Sequence, residues 1–222
     1  MLETLYNKAN EEGADMVICD YILEFPSKSI PVYYQLEEYS PLLVFEKMTC
    51  GLSCALWNKL VRRSCYGTGN VLFPVGCDVF EDLFVNASLL IKSVRRIAYI
   101  HRPLYHYTQQ LNENSLFSRF TLEKLLQERE VTRGIERLLG GRCQQAIDNL
   151  RTIEAYICFY HHFFSSSYFR RYYASEMSSY KRSSVSHMQK FVVMASASGW
   201  QWLIYPSYSL LRKLRSMIGS SC

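Results

Sequence analysis

The sequence predicts an α/β fold that is followed by a mostly helical carboxy-terminal region. Residues 2–12 have the apolar spacing of an amphipathic helix, and after Gly13 the apolar run 16–19 is typical of a short buried strand. A second apolar helical run, after residues 81–82, is again followed by a β-branched and aromatic run. From Thr121 onwards, helical spacing prevails. The order helix, strand, helix, strand and then helices indicates this fold class.

The composition bounds the class of protein. The chain has 222 residues, 49% of them hydrophobic and 20% charged, which is enough for one large domain or two small ones. Its net charge of +5 favours an anionic membrane surface or a phosphate-bearing ligand. The sequence contains no helix-turn-helix, zinc-ligand or RNA-binding signature, so we expect no nucleic-acid partner.

The eight cysteines indicate a reducing environment. Their spacings include no Cys-x-x-Cys and match neither a zinc site nor a compact disulfide framework. We therefore expect buried free thiols in the cytosol. The amino terminus contains acidic residues and no apolar run, so a signal peptide is not expected.

Between the first strand and the second long helix the elements are short. Three prolines within residues 24–41 indicate a loop or an edge hairpin, and residues 42–50 are predicted to be helical. Residues 56–61 begin a further element that contains Trp57. By itself, Trp57 fits either core packing or the wall of a pocket, since its ring is apolar and its indole N–H needs a partner when buried.

The acidic pair Glu81-Asp82 precedes the second apolar helix. Carboxylates at a helix start face the positive end of the dipole and ionise easily. Taken alone, such a pair is typical of a cap on a solvated face. We expect the apolar residues after it to form one buried face, namely Leu83, Phe84, Ala87, Leu90 and Ile91.

The segment after this helix contains a predicted strand and a break. Residues 97–100 are the strand, and Arg102-Pro103 interrupts it. Tyr105 and Tyr107 then follow at strand spacing, so their side chains should point the same way.

The carboxy-terminal hundred residues are predicted to be helical. One helix runs from Thr121 to Gly140-Gly141, and another has its apolar positions within residues 146–160. The dense aromatic residues of 156–173 favour a packed aromatic core. Residues 209–218 form either an interfacial helix, with cations opposite an apolar side, or a helix docked on its own domain.

Several of these segments together resemble a known family. The segments are, in chain order, MLETLYNKANEEGADMVICDY (1–21), LWNKL (56–60) with RR (62–63), EDLF (81–84), IAYIHRPLYHY (97–107) and NENSL (112–116). In order and spacing they resemble the distal half of a bacterial family 2 glycosyltransferase of the GT-A type. The resemblance covers residues 1–118, and the remainder matches no family that we recognise.

The resemblance implies a function and a set of roles. The complete enzyme would transfer a sugar, with inversion, from a nucleotide-diphosphate donor to a glycan or lipid-linked acceptor in polysaccharide biosynthesis of the cell envelope. Asp82 would be the general base and Glu81 would orient the groups around it. The residues that would bind substrate are Trp57, Tyr105, Tyr107, Asn114 and Ser115. Residues 1–118 would be the acceptor side of the transferase domain and residues 119–222 a helical region.

The sequence also departs from the family pattern. The family's Pro-Val-Tyr-Asn, Asp-Asp-Gly-Ser and Asp-x-Asp segments, which bind the nucleotide and the metal, do not occur. The divalent cation (Mg or Mn) expected for a complete member therefore has no binding motif here, and we assign no metal ligand. We expect a partial enzyme that is inactive in isolation. Phe80 occupies a position that is often glycine in the family.

Two alternatives to a transferase fragment stay open from the sequence. The chain is either a non-catalytic module that binds a membrane surface or a partner, or one half of an enzyme completed by a separately encoded amino-terminal half. For the transferase and for the module we expect a cytoplasmic location, peripheral on the inner face of the membrane through the carboxy-terminal helix.

Overall fold

A computed structural model describes residues 1–67, 69, 71, 74, 76–108 and 120–219, with side chains up to residue 210. The chain divides into two compact units, Met1–Ala146 and Ile147–Cys222. The predicted boundary at residues 118–119 concerns the extent of the transferase-like part, and it stays a prediction.

The first unit is mixed α/β, as the sequence predicts. Its strands and helices, in chain order, are α1 (Leu2–Glu12), β1 (Met16–Phe25), β2 (Lys28–Val32), α2 (Pro41–Met48), β3 (Lys59–Val61), a 3₁₀ turn (Arg63–Tyr66), α3 (Glu81–Lys92), β4 (Ile97–Thr108) and α4 (Leu122–Leu139). Gly13 ends α1 and Gly140 ends α4, both in the left-handed conformation that glycine adopts without a steric cost.

The sheet is built around β1. β4 runs parallel to β1 along nearly its whole length, for example at Tyr21 beside Tyr105. β2 and β3 are antiparallel to β1 and pair with its carboxy-terminal and amino-terminal parts respectively. Because β4 occupies one edge of β1, β2 and β3 share the other. The hairpin β1–β2 confirms the predicted edge hairpin.

Two strand predictions were wrong in extent. β1 continues to Phe25 instead of ending near Cys19, because β2 and β4 pair with its polar second half. β4 is not interrupted at Arg102-Pro103; instead the register with β1 shifts on both sides of Asp20, which pairs with Pro103. A bulge accommodates a proline because the extra residues there need no ladder hydrogen bond.

The helices of the first unit pack on the sheet and on one another. On one face α1 packs on β1 and β4 through a buried cluster made of Leu5, Ala14, Val17, Cys19 and Ala98. α3 packs against both α2 and α4. The helix α3 is therefore buried on nearly all sides, whereas its apolar residues predict a single buried face. Val85 and Leu89, which lie outside the predicted face, are also buried.

The second unit is helical, as predicted. It contains most of α5 (Gln144–His161), then α6 (Ser166–Tyr173), a 3₁₀ turn (Ala174–Glu176), α7 (Met177–Arg182), α8 (His187–Ala197) and α9 (Gln201–Gly219). The aromatic core predicted for residues 156–173 is present in part: Phe159, Phe169 and Tyr173 are buried, whereas Tyr168 and Tyr172 are exposed. The buried Asp148 carboxylate accepts two hydrogen bonds from Arg182, at 2.6 and 2.9 Å. Among the described residues, no helix is both long enough and apolar enough to cross a membrane.

The cysteines differ from the prediction in their burial. The seven in the described part of the chain are free thiols. Cys19, Cys65 and Cys158 are buried, whereas the other four are partly exposed.

Candidate active site

The Asp82 carboxylate lies in the first turn of α3 and is half-buried. The backbone of Leu56, in the turn that leads into β3, lies near it and acts to lower the pKa of the carboxylate. Glu81, the other member of the acidic pair, is also partly exposed in the same turn. The pair therefore begins the helix, where the peptide dipoles favour negative charge.

Phe80, which precedes the pair, has a left-handed backbone. Its φ is 59° and its ψ is 11°, a conformation that favours glycine and is strained for an aromatic residue. Its carbonyl accepts the first hydrogen bond of α3, from the N–H of Phe84 at 3.1 Å. This backbone conformation turns the chain into α3, so that Glu81 and Asp82 lie in the first turn of the helix. It also gives a physical reason for glycine at this position in the family that the sequence resembles.

Trp57 lies in an aromatic stack with the two predicted tyrosines. Its ring is stacked on Tyr105, with centroids 4.4 Å apart, and on Tyr107, at 5.0 Å. Tyr21 meets it edge-on at 5.0 Å. The strand spacing of Tyr105 and Tyr107 correctly predicts that they share a side. All four rings are only partly buried, so the stack presents aromatic surface to solvent.

Lys59 holds together the turn that carries Leu56 and Trp57. The side chain is 9% exposed, and its Nζ donates to the carbonyls of Ser53 and Ala55, at 2.9 and 2.5 Å, and to Asn58 Oδ1 at 2.8 Å. These three acceptors satisfy the buried ammonium group. Lys59 thereby fixes residues 53–58 in one conformation.

Two buried asparagines attach this turn to the rest of the first unit. Asn58 Nδ2 donates to the Cys19 carbonyl of β1 at 2.9 Å. Asn86 Nδ2 donates to the Cys54 carbonyl at 2.6 Å and to the Asp82 carbonyl within α3 at 2.8 Å. The turn is therefore connected on one side to the sheet and on the other to the helix that carries Asp82.

The electrostatics of the site follow from burial. Burial raises the pKa of Asp82, while the backbone N–H of Leu56 and the positive charge of Lys59 act in the opposite direction. Burial lowers the pKa of Lys59 to about 8, and the nearby Asp82 and cysteines partly counteract this. At neutral pH Lys59 is thus mostly protonated, and its charge favours an ionised Asp82.

Sequence reasoning did not select Lys59 or Asn86. Both had a detectable signal, since each is a polar residue within an apolar run: Lys59 lies between Leu56 and Val61, and Asn86 lies in the middle of α3. A polar side chain at an otherwise buried position requires partners.

A second polar network, also not selected from the sequence, lies at the β1–β4 bulge. Asp20 is fully buried, and its Oδ1 accepts from the N–H of Tyr34 at 2.9 Å and from the hydroxyl of Tyr99 at 2.5 Å. Its Oδ2 lies 3.4 Å from His101 Nδ1. His101 lines a polar groove of about 510 Å³ between α1 and β4. The network stabilises the bulge that redirects β4 towards Tyr105.

Some predicted site features lie outside these contacts. Asn114 and Ser115 are outside the described residues. Among the residues that the structure describes, no group of three His, Cys, Asp or Glu side chains could hold a metal ion. The described residues therefore do not fit the divalent cation that the sequence resemblance implies, and no chemical step is assigned to it.

The sequence was compared with known proteins. No protein-family model matches the chain. Over 120 residues, half of this chain, the sequence is 32% identical to a protein of Bacillus subtilis (strain 168) named "Putative glycosyltransferase EpsH". The match supports a relation to glycosyltransferases. The chain spans only a third of the length of that relative.

Proposed function

We propose that this chain carries the acceptor side of a family 2 glycosyltransferase with a GT-A fold, and that Asp82 is its general base. The observation that carries the proposal is the pair of hydrogen bonds from Asn86 Nδ2 to the carbonyls of Cys54 and Asp82, which holds the turn with Trp57 against the first turn of α3. A carboxylate beside a partly exposed aromatic stack is the combination that a sugar acceptor requires: one group to take a proton and a flat apolar surface to hold a ring.

In the proposed reaction the acceptor sugar lies against the stack of Trp57, Tyr105 and Tyr107. Asp82 takes the proton of the acceptor hydroxyl while that oxygen attacks the anomeric carbon of the donor. The nucleoside diphosphate leaves from the opposite face with the bonding electron pair, so the configuration inverts. A general base of this kind contributes about 10²–10⁴-fold to the rate.

The environment of Asp82 suits this role. Burial raises its pKa, which makes the carboxylate a stronger base than a solvated aspartate. The Lys59 charge keeps it ionised before the reaction, and Glu81 lies in the same turn to orient neighbouring groups. The donor sugar, the acceptor and the linkage belong to the complete enzyme, of which this chain would supply one side.

Acceptor binding by the 222-residue chain tests the proposal directly. We expect saturation-transfer NMR with glucose, galactose, N-acetylglucosamine and their short oligomers to detect binding. Trp57→Ala should weaken it about tenfold, since loss of one stacked ring removes about 1 kcal/mol or more. Asp82→Asn should leave binding nearly unchanged. Trp202→Ala, an exposed tryptophan of the second unit, is the matched control.

The same samples test the catalytic part. With Mg²⁺ or Mn²⁺ and a panel of nucleoside-diphosphate sugars, we expect no transfer by this chain alone. The absence of binding to every saccharide, or binding that Trp57→Ala does not weaken, would contradict the acceptor site. Transfer by the wild-type chain would contradict the expected inactivity, and transfer that then persisted in Asp82→Asn would also contradict the assignment of the base.

A further inference from the structure

The second unit has an exposed apolar face formed by α8 and α9. Four large side chains define it: Met188 and Phe191 on α8, Trp200 just before α9, and Leu203 on α9. Each is more than half exposed, and Phe191 reaches 61%. We call these four residues the α8–α9 face.

The face is continuous, because two grooves share residues across it. One groove, of about 470 Å³, is lined by Phe191, Trp200, Leu203 and Ile204 among others. The other, of about 630 Å³, also contains Phe191 and Ile204 and extends to Met188. A soluble monomer seldom leaves such a contiguous apolar surface uncovered, so the face indicates a binding surface.

The part of the sequence that carries the face is basic. From Met177 to the end of the chain the sequence contains six Lys and Arg residues and no Asp or Glu. Lys190 is the chain neighbour of Phe191. Arg170 of α6 is exposed and lies beside Gly199, the residue before Trp200. A Cβ built on Gly199 would be 3.5 Å from the Cδ of Arg170. The occupant of the face should therefore be apolar in its interior and anionic at its surface.

We propose that the α8–α9 face binds the surface of a membrane that contains anionic phospholipid. Tryptophan and aliphatic side chains enter the boundary between headgroups and acyl chains, while lysine and arginine remain beside the phosphates. A lipid surface accepts the uneven outline of two open grooves, whereas a protein partner would require a complementary shape together with its own acidic residues. The inference is independent of Asp82 and of the proposed sugar acceptor.

Vesicle flotation of the full chain tests the proposal. We expect the chain to float with vesicles of phosphatidylcholine and phosphatidylglycerol, and to float much less with phosphatidylcholine alone or in about 1 M salt. Phe191→Ser should weaken binding about tenfold or more, because the variant loses the favourable transfer of an aromatic ring from water into the bilayer. Tyr6→Ser is the matched control, since Tyr6 is also 61% exposed but lies on α1. Its flotation should equal that of the wild type.

A charge variant distinguishes a lipid surface from a general apolar contact. Arg170→Glu with Lys190→Glu should reduce flotation on anionic vesicles more than on neutral ones, with circular dichroism confirming the folded state. The proposal is overturned if the wild type does not float with anionic vesicles, or if Phe191→Ser and Tyr6→Ser float alike. It is also overturned if light scattering shows a stable dimer that Phe191→Ser dissociates and that binds no vesicles.

Discussion

Replacing Lys59 by methionine removes a buried charge from the candidate site without leaving a large void. The substitution also removes three donors from the carbonyls of Ser53 and Ala55 and from Asn58 Oδ1. The absolute change in stability therefore combines two opposing effects: relief of a buried charge and loss of its hydrogen bonds. The pH dependence of the change separates them, because methionine does not titrate.

The magnitude follows from the pKa. A lysine whose pKa falls from 10.5 to about 8 on folding binds its proton less tightly in the folded state. Between these values the unfolded chain keeps the proton and the folded chain releases it, so folding becomes more favourable as the pH rises. At 1.36 kcal/mol for each pKa unit, the complete effect is about 3 kcal/mol, of which about 2 kcal/mol falls between about pH 7.5 and 10.

The assay is urea unfolding of the wild type and of Lys59→Met at several pH values in this window, under reducing conditions. A background of Trp200→Phe and Trp202→Phe leaves Trp57 as the fluorescent probe, so the signal reports the first unit. The difference between the unfolding free energies of the two proteins cancels the contribution from titration of the cysteines and tyrosines that they share. Lys47→Met, on the exposed side of α2, controls for the loss of a lysine charge in itself.

We expect the wild type to gain about 2 kcal/mol relative to Lys59→Met as the pH rises through the window. A difference that stays constant would show that the Lys59 ammonium is not desolvated in the folded protein. A difference that falls with pH would show that its charge is stabilised by Asp82 more than it is penalised by burial. Either result would refute the description of the site given above.

Three further substitutions test other parts of the structure by the free energy of unfolding. At position 80, Phe80→Gly should be more stable than Phe80→Ala by about 1 kcal/mol, because alanine keeps the strain of a left-handed backbone; equal stabilities would argue against that backbone. Gly134→Ala should destabilise α4 by about 1–3 kcal/mol, since a Cβ there would lie 2.7 Å from Cε2 of Phe84. In a Phe84→Ala background the same change should become favourable by up to about 1 kcal/mol, as expected for a helical glycine. Asp82→Asn should cost no stability at pH 7, because burial raises the pKa of Asp82 and so disfavours its ionised form in the folded state; a loss above about 2 kcal/mol would indicate a structural role.

Local features of the fold were predictable because they depend on neighbouring residues. The helix ends at Gly13 and Gly140 follow from a backbone conformation that glycine adopts freely. The common orientation of Tyr105 and Tyr107 follows from the two-residue period of a strand, and Trp57 does stack on both. The predicted aromatic core of the second unit likewise follows from composition.

The features that were missed depend on partners far away in the chain. The extension of β1 to Phe25 requires β2 and β4, and the bulge opposite Asp20 requires a register that only the paired strands define. The burial of α3 on nearly all sides requires α2 and α4. Hydrophobic periodicity predicts the apolar face of α3, but it does not predict that a later helix, α4, also covers another face.

The sequence by itself determined the class of the fold, the order of its elements and the residue types available for chemistry. The tertiary structure alone decided that Asn86 joins the turn at Cys54 to the start of α3, that Lys59 is buried, and that its pKa falls to about 8. Hydrogen bonds and desolvation act between atoms in space. Asn86 and Cys54 are 32 residues apart in the chain. The acceptors of Lys59 lie within six residues of it, but its burial depends on the elements packed around this turn.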